Sequence, residues 1–288
     1  MKKSRPFDKA SRYIAKNDGR LLLPWLLQIP REHTHFGGWI DARLIGTPEQ
    51  TDLFCDTIAR LAPRKPVGVP WAILLEFQIE PDPLMLGRIH CYWGQFWIHN
   101  KPAKAKGDRY QLAAIVVNLT GRGNIVTKAA WPTAGLNSEH AIREINFCDY
   151  PAQQALEEIV AGKAPKMVLC WLPLMQGGAE PDNIKKWLEI AKAETNSTRR
   201  GDYGGLALVF AEAAKTQKIW KDALEGWNVV ESQQVREWQD EARAEGLKLG
   251  EARGEARGEA RGELRKSHQT LLRLGQKKFG TLTEKTKK

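Results

Sequence analysis

Glu76 and Gln78, two residues apart in the apolar run Trp71–Gln78 (WAILLEFQ), are the side chains best placed to do chemistry. In an extended segment alternate side chains share a face, so Glu76 and Gln78 point one way and Phe77 the other. A carboxylate on a buried strand is costly unless a cation compensates it, and a divalent metal is the usual one. A second carboxylate, Asp56, opens the preceding run DTIARL. The RKPVGVP between the two runs, with Pro66, Gly68 and Pro70, reads as a loop joining paired strands. Asp56, Glu76 and the main-chain oxygen of Phe77 would then offer the hard oxygen ligands that Mg2+ or Mn2+ prefers, and the metal would supply the reactive water. Asp52, in TDLF, gives a competing register to Asp56. The pattern alone is also that of a salt-bridged or solvent-facing edge-strand glutamate.

The elements that must position these residues can be read in outline. DRYQLAAIVVNLTG contains a run from Leu112 to Leu119 that is apolar on both faces, as in a central strand covered by helices. MVLCWLPLM, Met167 to Met175, reads as a further strand, and helical stretches alternate with these runs. The expected architecture from about Asp8 to Met175 is α/β, a mixed sheet flanked by helices. His33 and His35 in REHTHFGG would share a face, but Gly37 and Gly38 make a loop the better reading, and nothing completes a metal site there. His90 is read as a half-buried packing residue. Cys55, Cys91, Cys148 and Cys170 are widely spaced in apolar contexts, which suggests reduced core residues rather than disulfides or zinc.

The segments CDTIARL and LLEFQIEPDPLMLGRIHCY carry a longer pattern: Asp56, Glu76, Gln78, Pro81, Asp82, Met85, Arg88 and Tyr92 in order. This resembles the Rpn family of recombination-promoting nucleases and transposase-like proteins, within the PD-(D/E)xK nuclease superfamily. The resemblance implies a restriction-endonuclease-like core and a metal-dependent DNA endonuclease linked to recombination or mobile elements. It assigns Asp56 and Glu76 as metal ligands for Mg2+ or Mn2+. FDKASRYIAKNDGRLLLPWLL resembles the family's opening helix, which makes Asp8 a possible third catalytic acid; a first-turn or capping aspartate is the ordinary reading of that residue. Gln78 stands where the superfamily name has lysine, so it cannot act as a base but could orient water or a phosphate. Arg88 would contact a phosphate through its planar fork, or pair with Glu80 on the helix surface.

The rest of the chain divides by pattern. Residues 1–178 form the nuclease-like core, 179–245 a helical extension, 246–264 a GEAR-repeat helix or linker, and 265–288 a basic tail. Leu206, Val209, Phe210 and Trp220 are expected in a core. In the repeat, Glu251, Glu255, Glu259 and Glu263 form one drifting helical stripe and Arg253, Arg257, Arg261 and Arg265 another. A lone helix of that composition frays; a solvated linker is the ordinary reading, and self-association, in which two copies set an acidic stripe on a basic one, is the functional one. From Leu264 to Lys288 there are eight lysines and arginines against the single acid Glu284, so most of the net charge of +10 lies there. Lys277, Lys278 and their neighbours suit nonspecific, salt-sensitive contact with DNA, and equally a solubilising tail. No membrane span or signal peptide is evident, which gives a cytoplasmic expectation. The alternative to an enzyme is a weakly active or inactive nuclease-fold protein that binds DNA or a partner.

Overall fold

The chain opens with two helices rather than one. In a computed structural model, which describes residues 6–40, 57–64, 69–102, 109–227 and a few positions beyond (236–238, 240–241, 243–244, 251, 255, 266, 269–270 and 273–274), α1 spans Pro6–Asn17 and α2 spans Gly19–Leu27. Asp18 separates them because its side chain accepts from the Leu21 amide, so α2 starts anew. Phe7, Ala10 and Ile14 recur at helical spacing and form the buried face of α1.

A five-stranded mixed sheet follows. Strand β1 (Thr34–Ile40) pairs antiparallel with β2 (Thr57–Pro63), and β2 pairs antiparallel with β3 (Trp71–Gln78). Helix α3 (Met85–His99) carries the chain across to β4 (Gln111–Asn118), which lies parallel to β3. A short hairpin, β5 (Lys128–Trp131) with β6 (Leu136–Glu139), interrupts the route to β7 (Ile142–Asn146), parallel to β4 at the sheet edge. The chain is thus α/β, and Leu112–Leu119 is a central strand as expected. The REHTHFGG loop is instead an edge strand: the register slips between Phe36 and Trp39, and Gly38, at φ +104°, absorbs the bulge.

Alternation along β3 divides the core. Ile73, Leu75 and Phe77 pack with Phe7, Ala10 and Ile14 of α1 and with Trp171 and Phe210. Ala72 and Leu74 face the other way, into a layer made with Met85, Ile89, Tyr92 and Phe96 of α3 and Ala114 and Val116 of β4. The first layer continues through α4 (Ala152–Val160), α5 (Pro181–Lys192), α6 (Ser197–Ala213) and α7 (Gln217–Ala223). Trp187 of α5 is fully buried, donates to the Leu169 carbonyl at 2.8 Å and stacks edge-on with Trp220 at 5.3 Å.

The run Met167–Met175 is not a strand. Lys166–Leu174 winds as 3-10 helix, with every residue from Met167 to Leu174 buried beneath α6. A short run that is apolar at every position has no period to separate strand from buried helix, and burial on all sides is what the two share. Leu206, Val209, Phe210 and Trp220 are core residues. The compact unit runs from Met1 to Ala242, so the boundary expected at residue 178 falls inside it. A second unit covers Arg243–Lys288, where the described residues of the repeat, Glu251 and Glu255, and of the tail, including Lys266 and Arg273, are helical and exposed. Among the described residues no helix is long and apolar enough to cross a membrane.

Candidate functional site

Glu76 and Gln78 end β3 on the side covered by α3, opposite Phe77. Register extends that face across the sheet: Glu76 lies opposite Val116 and Gln78 opposite Asn118 on β4, which in turn lie opposite Glu144 and Asn146 on β7. The carboxyl ends of three parallel strands therefore present Glu76, Gln78, Asn118, Glu144 and Asn146 on one face. This is where open α/β sheets bind ligands.

Glu76 is 3% exposed, a burial that a lone carboxylate does not tolerate. Arg88, one turn into α3, compensates it, with Nη2 3.6 Å from the Glu76 carboxylate. The same guanidinium contacts Asp82 Oδ2 at 3.0 Å, donates to the Tyr92 hydroxyl at 2.9 Å and lies over the Tyr92 ring. Burial alone would lower the Arg88 pKa, but the Tyr92 hydroxyl and the Glu76 and Asp82 carboxylates outweigh it and hold it above the ordinary arginine value. The guanidinium is a fixed cation. Arg88 therefore pairs with Glu76 and Asp82.

Gln78 is committed at both ends. Its Nε2 donates to Asn118 Oδ1, and its Oε1 accepts from the Asp82 amide at 3.2 Å. The Asn118 amide in turn donates to Glu144 Oε1 at 2.8 Å and to Asn146 Oδ1 at 2.6 Å. The loop after β4 closes over these groups: Gly123 N–H donates to Asn146 and Ile125 N–H to Glu144 Oε2 at 2.7 Å. Asn118, Glu144 and Asn146 belong to the site but were not expected from the sequence. Their signal was the polar residue ending an apolar strand in AAIVVN, and the i, i+2 pair of polar residues in IREIN.

Asp8 lies in the first turn of α1, whose buried face packs on the Phe77 layer, so the sheet separates α1 from the Glu76 layer. Asp56, its alternative Asp52, and Lys277 and Lys278 lie outside the described residues. His35 is on β1 and His33 in the turn before it. His90 is exposed, with its ring 4.6 Å from that of His140. Of the cysteines, Cys170 is buried, whereas Cys91 is exposed and Cys148 partly so, and all three are free thiols.

Glu76 has the hard anionic oxygen that Mg2+ or Mn2+ requires. Glu144, opposite Val116 on the same face, has one hydrogen bond to each of its oxygens within the network. Among the described residues no group of three or more His, Cys, Asp or Glu side chains could hold a metal ion. Thr57, the residue after Asp56, is the cross-strand partner of Leu75, next to Glu76 on β3. Comparison of the chain with family models, curated proteins and solved structures finds no match.

Proposed function

We propose that this chain is a metal-dependent DNA endonuclease of restriction-endonuclease-like architecture, resembling the Rpn nucleases, with its reaction centred on Glu76. The observation that supports the reading is the buried Glu76 beside Gln78 at the carboxyl end of the third strand in an α-β-β-β-α-β order. In this reading Glu76 and Asp56 hold Mg2+ or Mn2+. When bound, such a cation lowers the pKa of a coordinated water to make it a nucleophile at neutral pH. A bound cation would compete with Arg88 for the Glu76 carboxylate. The guanidinium then stays anchored by Asp82 and Tyr92, with donors free for a substrate phosphate. Gln78 holds the Asp82 loop rather than acting as a base.

A second reading, an inactive nuclease-fold protein that binds DNA or a partner, has its own support. Both ends of the Gln78 amide are occupied and Glu76 is already neutralised, so no free reactive group is required to explain the pocket. Incubation of supercoiled plasmid with purified protein and Mg2+, Mn2+ or EDTA separates the two. The nuclease reading expects metal-dependent nicking that Glu76→Ala and Asp56→Ala both abolish. Intact plasmid under all conditions, with DNA binding retained, refutes it in favour of the second. Salt-sensitive DNA affinity belongs to the tail with Lys277 and Lys278, and truncation after Gly262 should remove it. Self-association through residues 246–264 should be lost, by light scattering, on deleting 248–264.

A further inference from the structure

We infer that Asn118 is a positioning residue that fixes Arg88 on Glu76 through a relay of four side chains across the sheet. It concerns the same pocket as the proposed nuclease site, but its test does not depend on catalysis. The links form a continuous path. Glu144 Oε1 accepts from the Asn118 amide, Asn118 Oδ1 accepts from Gln78, and Gln78 Oε1 accepts from the Asp82 main-chain amide. Asp82 Oδ1 accepts from Leu84 N at 2.9 Å in the turn that leads into α3, and its Oδ2 grips Arg88, which reaches Glu76.

Each link has one polarity. Glu144 only accepts, so it requires the NH2 of Asn118 on its side, which turns the Asn118 oxygen toward β3. That oxygen requires the NH2 of Gln78, and the Gln78 oxygen is thereby directed at the Asp82 amide. A carboxylate on β7 thus dictates the amide orientation of a residue on β3. Asn118 is fully buried, so a wrong orientation would leave both amides without partners and water cannot repair it. The loop residue Gly123 belongs to the same device. A Cβ there would fall on the Glu144 carboxylate and the Asn118 amide, so only glycine lets the loop close over them.

The relay explains why a glutamine suits the place where the superfamily name has lysine. A lysine has donors but no acceptor, so it could not receive the Asp82 amide, and the loop that anchors Arg88 would lose its tie to the sheet. Gln78 in this inference transmits position and does not touch the reacting atoms.

The test reads Arg88 directly by NMR of the 15N-labelled full chain, following the Arg88 Nε–H and the Gln78 side-chain NH2, assigned by their loss in Arg88→Lys and Gln78→Leu. In Asn118→Ala and in Gly123→Ala both signals should shift, and exchange of the Arg88 Nε–H with water should speed up on the order of tenfold. Signals from the Phe77 layer should stay in place. Asn118→Asp preserves shape should the other two not fold. It keeps an acceptor for Gln78 but sets a carboxylate against Glu144, and two adjacent carboxylates hold a proton more tightly than one. The protonated pair restores the missing hydrogen bond, so Arg88 protection in Asn118→Asp should be low at neutral pH and return as the pH falls. A packing role for Asn118 would show no such recovery. An Arg88 signal that is unchanged while that of Gln78 shifts, or an Asn118→Asp variant indifferent to pH, overturns the relay. Where plasmid nicking is present, these variants should also lower kcat about 10–100-fold with little change in KM, the usual cost of disturbing groups that orient a ligand. A wild-type protein that nicks nothing refutes the nuclease reading and leaves the NMR result standing by itself.

Discussion

Replacing Arg88 with methionine removes the cation beside the buried Glu76 side chain, while methionine preserves helix propensity and much of the side-chain bulk on α3. At 3.6 Å and an effective dielectric near 20, the Arg88–Glu76 attraction is about 5 kcal/mol before any solvent correction. Arg88 is 40% exposed, so water approaches the ion pair and the penalty for guanidinium desolvation is partial. Losing one partner of a pair whose other member is buried then leaves a net cost of about 2 kcal/mol. For a unit of this size that lowers the melting temperature by about 4–8 °C. The pH dependence carries the sharper signature. In Arg88→Met the buried Glu76 carboxyl, without its cation, prefers the protonated form, so its folded pKa rises above the unfolded value of about 4.3. Between those two values the native state binds more protons than the unfolded state, and stability falls as pH rises. The loss should therefore be full above the raised pKa and fade toward pH 4.3. Urea unfolding at pH 7.5 and pH 5 measures it, and Glu76→Gln in the Arg88→Met background should recover most of the loss at pH 7.5 because no charge remains buried. A loss of the same size at both pH values, or no recovery in the double variant, would refute the argument that charge compensation holds this pocket together.

Burial, the hydrogen bond to Asp202 and its charge push the Tyr13 pKa up to about 12, so stability should fall between about pH 10 and pH 12 as the unfolded state loses its proton first; Tyr13→Phe should flatten that alkaline limb in denaturant titrations. A Cβ on Gly178 falls on the Leu172 carbonyl, and Gly178→Ala should cost about 1–3 kcal/mol by urea unfolding, with an unchanged transition arguing against so tight an approach. Truncation after Gly178 strips Trp187, Phe210 and Trp220 from the layer that also holds Phe7 and Trp171. The fragment 1–178 should show no cooperative thermal transition by circular dichroism, while 1–242 melts as one unit.

Where a residue's partners lie nearby in the chain, the sequence disclosed them. The β3–α3–β4 segment was legible because Leu112–Val117 is continuously apolar, and a parallel strand buried on both faces has that composition. β1 was not, because THFGGWI contains two glycines that signal a loop; here they serve a bulge, and the Arg60 guanidinium donates to the Gly37 carbonyl. Met167–Met175 misled for the reverse reason. Its uniform apolarity reported burial correctly and said nothing about the backbone, which winds as 3-10 helix and satisfies the Leu169 carbonyl through Trp187. The helices after residue 178 were recognisable by period, but that they share one core with the sheet depends on contacts such as Trp171 with Phe210, some forty residues apart.

The site divides in the same way. Glu76 and Gln78 stood out because polar side chains at i, i+2 in an apolar strand must find partners, and Arg88, which pairs with Glu76, lay close by together with its own anchors Asp82 and Tyr92. Gln78 found the Asp82 amide nearby, but its side-chain partner lay farther along. Asn118, Glu144 and Asn146 become neighbours of Gln78 only when β4 and β7 align in parallel, and parallel register is set by crossover connections rather than by a local turn. The requirement itself could have been anticipated. A buried glutamine amide has donors and acceptors to satisfy, β3 offers Gln78 no same-face polar neighbour except Glu76, and Glu76 is ion-paired with Arg88. The missing acceptor for Nε2 had to come from an adjacent strand, and the apolar strand that ends in a polar residue, Gln111–Asn118, is the one that supplies it.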